Sequence, residues 1–186
     1  NRIQGNRNPD LSSNGLKQAG RLGRRLKRER ISLIYTSDLK RSKRTAQIIQ
    51  HILRVPLYVE KGLREINLGV WEGKTPKEID QRHQQGYTRW KKAPSRYRIP
   101  KGEPVAVFRK RVLGTFKNLL ATVPDGNLLV VSHGGVIATF LASLLKGDED
   151  SFFLRLRLDN AGLSLVRLSD VRAGVVCYVN DTSHLK

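Results

Sequence analysis

The sequence predicts an α/β protein: a three-layer sandwich with a mostly parallel central sheet and helices on both faces. Three observations predict it. Short apolar runs that suit buried strands, "ISLIYTS" and "NLLVVSH", alternate with stretches whose apolar residues recur at helical spacing. The chain has 186 residues and 39% hydrophobic content, enough for one domain with a sizeable core. No internal repeat and no linker-like stretch divides it. Strands that alternate with helices build largely parallel sheets covered on both sides.

The elements follow in order. Ser12 or Ser13 suits the cap of a first helix with Leu16, Ala19, Leu22 and Leu26 on its apolar face. "ISLIYTS" is a buried strand, and Asp38 is the expected cap of the next helix, whose apolar positions are Leu39, Ile48, Ile49, Ile52 and Leu53. "PLYVE" is a short strand. Residues 60–75 are punctuated by glycine and read as a long loop. Pro76 suits the first turn of a helix reaching about His83. "GYTRWKKAPSRYRIPKGEP" reads as irregular, and Val105 to Thr122 as a helix using Phe108, Val112 and Phe116. The "NLLVVSH" strand and a buried helix "GVIATFLASLL" come next, followed by strand-like runs at about 154–159, 163–168 and 174–179.

Composition narrows the function. The longest apolar run, Val136 to Leu145, is far short of the ~20 residues that span a bilayer, and no signal-peptide pattern opens the sequence. A cytoplasmic protein without a membrane partner is expected. The one cysteine, Cys177, lies in a strand-like run and is expected in the core; no Cys/His cluster has zinc spacing, so no metal is expected. Charge is the odd feature: 35 Lys and Arg against 16 Asp and Glu, net +19. Much of it lies in "RLGRRLKRERISLIYTSDLKRSKR", Arg21 to Arg44. Such charge attracts anionic substrates or nucleic acid, or it is the solvated face of two amphipathic helices. The second reading fits better, because no nucleic-acid-reading motif accompanies the cations.

The stretch "LLVVSHGGVI" ends a buried strand on His133 and opens a helix with Gly134 and Gly135. Helix N-termini present free N–H groups and partial positive charge, and ligands of open α/β sheets bind beyond the strands' carboxyl ends. His133 thus stands where an anion would bind, unless it only caps the turn. Arg41, in "SDLKRSKRTA", has the same address after an earlier strand and suits bidentate binding of phosphate, although taken alone, crowded by Lys40, Lys43 and Arg44, it reads better as surface. Glu65, in "LREINLGVWEG", lies in a loop near Trp71; it is either a solvated loop carboxylate or, if Trp71 desolvates it, one whose pKa rises toward general-acid use. The loop with Tyr87, Arg89, Trp90, Arg96, Tyr97 and Arg98 has the makings of a lid, or is an ordinary basic loop.

"SDLKRSKRTA", "LREINLGVWEG" and "VVSHGGVI", in that order, resemble the motifs of the histidine phosphatase superfamily, in its phosphoglycerate-mutase-like branch. "RIQGNRNPDLSSNGLKQA" and "NDTSHL" resemble the early and late segments of its small phosphatases, such as α-ribazole phosphatase and broad-specificity phosphatase. The resemblance covers nearly the whole chain and implies one domain over 1–186. It further implies phosphoryl transfer through a phosphohistidine without cofactor or metal. Arg41 and His133 then bind the phosphoryl group, Glu65 donates the proton, Gly134 offers a backbone N–H, and Gln4 and Gly5 lie on the substrate side. The partners implied are a small phosphorylated substrate and anions such as phosphate or sulfate; nucleic acid is not expected.

The sequence departs from the family in one major respect. It contains no Arg-His-Gly, the segment that carries the family's nucleophile at the end of a first strand. His51, His83 and His184 are poor substitutes: the first is expected to be structural on a helix, the second solvated, the third structural near the end. The expectation is that an N-terminal piece is absent from the sequence and that the 186 residues alone are inactive. Asn8 and Asp10 stand where the family usually has Asp and Pro, and "GEP" where it has Gly-Glu-Ser. The leading reading is a phosphomonoesterase. A 2,3-bisphosphoglycerate-dependent phosphoglycerate mutase is the alternative, disfavoured by the short stretch between Glu65 and His133. A non-catalytic anion- or nucleic-acid-binding domain is the third reading.

Overall fold

The computed structural model describes residues 2–123, 126–146, 150, 156–170 and 173–186. Helix α1 (Ser13–Leu26) starts at Ser12, whose hydroxyl accepts the Gly15 N–H at 3.2 Å. Strand β1 (Ile31–Thr36), helix α2 (Lys40–Leu53) and strand β2 (Leu57–Val59) form a parallel crossover. Helices α3 (Pro76–Arg82), α4 (Gly86–Lys92) and α5 (Val105–Ala121) follow, then β3 (Asn127–Val131) and α6 (Gly134–Leu144). A hairpin, β4 (Leu163–Asp170) and β5 (Ala173–Asp181), closes the chain.

Among the described residues the strands form two sheets. One is parallel, with order β2-β1-β3, and the hairpin is antiparallel. Strand β3 alternates between two cores, as a strand's period of two requires. Leu129 joins Leu22 and Leu26 of α1, Ala46 and Ile49 of α2 and Ile34 of β1 on one face. Leu128 and Val130 face the other core, built from Phe108, Val112 and Phe116 of α5 and Val136 and Phe140 of α6. Helix layers on both sides of the parallel sheet make the expected three-layer sandwich.

Several expectations need correction. Asp38 does not cap α2: the cap position is Leu39, without a side-chain hydrogen bond, because the Asp38 carboxylate is engaged by Arg64 at 2.7 and 2.6 Å. The stretch 60–75 holds two short 3-10 turns, Lys61–Leu63 and Gly69–Trp71. The stretch read as irregular from Gly86 contains α4, whose Trp90 packs edge-on to Trp71, ring centroids 6.2 Å apart. Burial of an aromatic face overrides weak local propensity here. Of the run 154–159, residues 154 and 155 lie outside the described residues, and 156–159 are not a strand. Cys177 is exposed, not in the core. The hairpin register passes from Leu165↔Tyr178 to Val166↔Val176, and this bulge leaves Cys177 without a partner residue across the ladder. His51 is also exposed, on the outer face of α2.

Candidate active site

Parallel pairing assembles the site. Thr36 ends β1 and Val131 ends β3, and the two are register partners. The segments that leave them therefore emerge side by side at the carboxyl edge of the sheet, the usual ligand position in such folds. Buried hydroxyls fasten the two exits together. Ser42 of α2 donates to the Val131 carbonyl at 2.8 Å, and its hydroxyl lies 3.0 Å from that of Thr36. Arg41, one residue before Ser42, is thus held near His133, two residues after Val131.

The Arg41 guanidinium donates to the carbonyls of Gly5 at 2.8 Å and Arg7 at 2.7 Å. Burial lowers its pKa, and the charges of Glu65 and Glu72 act against that. The turn it grips closes through the Arg7 N–H and the Gln4 carbonyl, 2.9 Å apart. Glu72 holds the same turn from the other side. Its Oε1 accepts the N–H of Asn6 at 2.7 Å and of Leu68 at 3.1 Å. Gly5 has φ +51°, and a Cβ there would lie 2.2 Å from that oxygen. Glycine meets both demands. Gln4 itself is exposed, and among the described residues only its carbonyl takes part in this arrangement.

Glu65 crosses from the loop after β2 to the start of α6. One carboxylate oxygen accepts the Gly135 N–H at 3.0 Å and the other accepts the Ile66 N–H at 2.9 Å. Two braces hold its loop. Ser132 donates to the Leu63 carbonyl at 2.8 Å. Arg111 of α5 donates to the carbonyls of Gly62 at 2.7 Å and Arg64 at 2.9 Å, while paired with Glu103. Burial is the largest influence on the Glu65 carboxyl and raises its pKa; the Gly135 and Ile66 N–H groups and the charges of Arg41 and Arg111 pull it down.

His133 occupies the cap position of α6 but makes no capping bond, which removes the reading of a histidine that only caps the turn. It is 7% exposed, and its buried Nε2 has no hydrogen-bond partner. Burial, then the charges of Arg41 and Arg111, lower its pKa to about 3, against the opposing pull of Asp38. The ring is therefore neutral at pH 7. The N–H of Gly134 is in none of the hydrogen bonds among the described residues, and the space its Cβ would take is open. An orphaned imidazole nitrogen, an Arg and an open helix N-terminus thus adjoin a carboxyl whose pKa burial raises.

Arg41, Glu65, His133, Gly134 and Gly5 are brought together; Gln4 touches the group only through its backbone. Sequence reasoning missed Asp38, Glu72 and Arg111. Glu72 stands in the quoted "VWEG", yet nothing local marks its role, because its partners are 66 residues upstream and 4 residues back. His184 is structural as expected: its Nε2 lies 3.0 Å from the Ala161 carbonyl. Tyr87, Trp90 and Tyr97 pack around the buried Trp71 in a small core. Among the described residues no group of His, Cys, Asp and Glu is placed to hold a metal ion, and no helix is long and apolar enough to cross a membrane.

The fold is of the α/β class, and its site gathers a guanidinium, a buried imidazole and a helix N-terminus at the carboxyl edge of the parallel sheet. The family model of the histidine phosphatase superfamily (branch 1) matches residues 1–181, and the chain belongs to that family. It is 32% identical over 184 residues to phosphoserine phosphatase 1 of Hydrogenobacter thermophilus, covering 99% of this chain and 86% of the relative. It is 30% identical over 188 residues to a probable phosphoglycerate mutase GpmB of Yersinia pestis, covering 99% and 87%. Among solved structures, YhfR of Bacillus stearothermophilus superposes with a TM-score of 0.92 at 30% identity, over 100% of this chain and 91% of that one.

Proposed function

We propose that the protein is a metal-independent phosphomonoesterase for a small phosphorylated metabolite, acting through a phosphohistidine. The observation that carries this reading is the buried, unpartnered Nε2 of His133 beside Arg41 and the open N–H of Gly134. Buried polar groups seldom go unsatisfied, and a phosphoryl group supplies the missing partner. Arg41 neutralises equatorial oxygens, a role that other phosphoryl-transfer sites give to a metal ion. Glu65, its pKa raised by burial, protonates the leaving alkoxide and then takes a proton from the water that attacks the phosphohistidine. Attack on phosphorus falls to a histidine of an Arg-His-Gly segment, which the resemblance implies and these 186 residues do not contain. The relative described as a probable phosphoglycerate mutase favours a second reading, transfer of the phosphoryl group within a phosphoglycerate.

Inorganic phosphate titrated into residues 1–186 tests the pocket without turnover. Binding measured by calorimetry is expected to persist in EDTA and to fall at least tenfold, about 1.4 kcal/mol, in Arg41→Ala and in His133→Ala. Binding that vanishes in EDTA, or that neither substitution weakens, overturns the reading.

A further inference from the structure

Outside the phosphate pocket, α2 presents a second cationic feature that the proposed reaction does not use. Lys40, Arg44, Gln47, His51 and Arg54 recur at alternating spacings of four and three residues and are all exposed. They form one stripe along the outer face of the helix, while Ser42, Ala46 and Ile49 are buried on the opposite face. At 1.5 Å per residue the stripe runs about 21 Å. Lys43 flanks it. Two shallow depressions adjoin along it and share Arg44 and Gln47. Among the described residues lining them, the one carboxylate is Asp10. No ion pair among the described residues takes up Lys40, Lys43, Arg44 or Arg54.

The placement works against the helix. The first turn of α2 holds Lys40, Arg41 and Lys43 and no acidic residue. Cations there oppose the helix dipole, at about 0.3–1 kcal/mol each. Arg41 has its pocket. No ion pair among the described residues neutralises Lys40 or Lys43, and Asp10 is the one carboxylate lining their depression, so an external anion adds compensation there.

We propose that this stripe docks the phosphate backbone of a nucleic-acid duplex. The chemistry of the face selects that partner. No Phe, Tyr or Trp side chain lines the two depressions, and the lone His51 ring is too little to stack a run of single-stranded bases. Its apolar lining is confined to Leu11, Leu16 and Val55 at the edges, too little to insert into a membrane or to anchor an acidic peptide. What remains is a straight row of cations and amides, which suits sequence-independent contact with phosphates.

The test is fluorescence anisotropy of a labelled mixed-sequence DNA duplex of about 20 base pairs, titrated with residues 1–186 at about 50 to 200 mM salt. The three stripe cations and the flanking Lys43 predict a slope of about −3.6 in log K against log salt, a loss of about 100-fold over that range. The triple substitution Lys43→Gln, Arg44→Gln, Arg54→Gln is expected to reduce the slope by about 2.7. A control with equal charge removed elsewhere, Arg28→Gln, Lys110→Gln, Lys117→Gln, is expected to keep most of it. Far-UV circular dichroism checks that both variants stay folded. An equal loss in the control shows diffuse attraction by net charge and overturns the proposal. So does the absence of duplex binding at the lowest salt, or binding to phosphatidylserine vesicles in place of the duplex.

Discussion

Acid should destabilise this protein through His133 in a way that one substitution can isolate. The imidazole has an ordinary pKa of 6.5 and is lowered to about 3 in the fold. Between those values the unfolded chain binds a proton that the folded chain refuses. Stability is therefore present above pH 6.5 and is lost as pH falls below it, levelling off near pH 3. From pH 7 to 5 the unfolded imidazole becomes almost fully charged while the buried one stays neutral. The loss is about 2 kcal/mol. His133→Gln removes the titrating group. Asp38, Asp80, Asp159 and Asp181 also have lowered pKa values and lose stability on acidification, mostly below pH 5, in both proteins alike. Glu65, with its pKa raised, works in the opposite sense in both: the fold takes up its proton first and gains stability as pH falls. Urea unfolding at pH 7 and pH 5, in buffers free of phosphate and sulfate, gives the comparison. The parent chain should lose about 2 kcal/mol more than His133→Gln. Saturating phosphate should shrink that difference, because a bound dianion favours the imidazolium. Equal pH dependence of the two proteins would show that His133 is not held neutral and would refute the account of the pocket given above.

Two other predictions concern the chemistry and the backbone. In the protein carrying the Arg-His-Gly segment, Glu65→Gln should slow single-turnover phosphorylation by alkyl phosphates by ~10²–10⁴-fold and by aryl phosphates far less, whereas Arg41→Ala should slow both alike; equal losses for both esters in Glu65→Gln would remove Glu65 from the acid role. Gly5→Ala should destabilise the fold by about 1–3 kcal/mol and weaken phosphate binding, since its Cβ meets the Glu72 carboxylate in a left-handed backbone and its carbonyl orients Arg41; unchanged urea midpoint and phosphate affinity would show that the Gln4–Arg7 turn does not position Arg41.

Much of this protein was legible in one dimension because its signals are local. Ser12 before a helical pattern, Pro76 at a first turn and the apolar run "LLVVSHGGVI" each name their element through contacts within a few residues. The meeting of Arg41, Glu65 and His133 at one edge was legible for a related reason. Each follows a strand or its loop, and in a parallel sheet that address is already the ligand edge. What tertiary structure decided was which neighbours those side chains meet. Asp38 looks like a helix cap in sequence, but Arg64 lies within reach only after the loop folds back, and two charge-assisted bonds outcompete one cap. Cys177 reads as core from its apolar neighbours, but strand alternation puts it on the exposed face with Val175, while Val176 and Tyr178 pack inward. The neutrality of His133 comes from burial and from two arginines distant in sequence, and the hold of Glu72 on the Gly5 turn joins segments 66 residues apart. Local periodicity sets the secondary structure, but desolvation and charge proximity are properties of the assembled volume, and only the folded chain determines them.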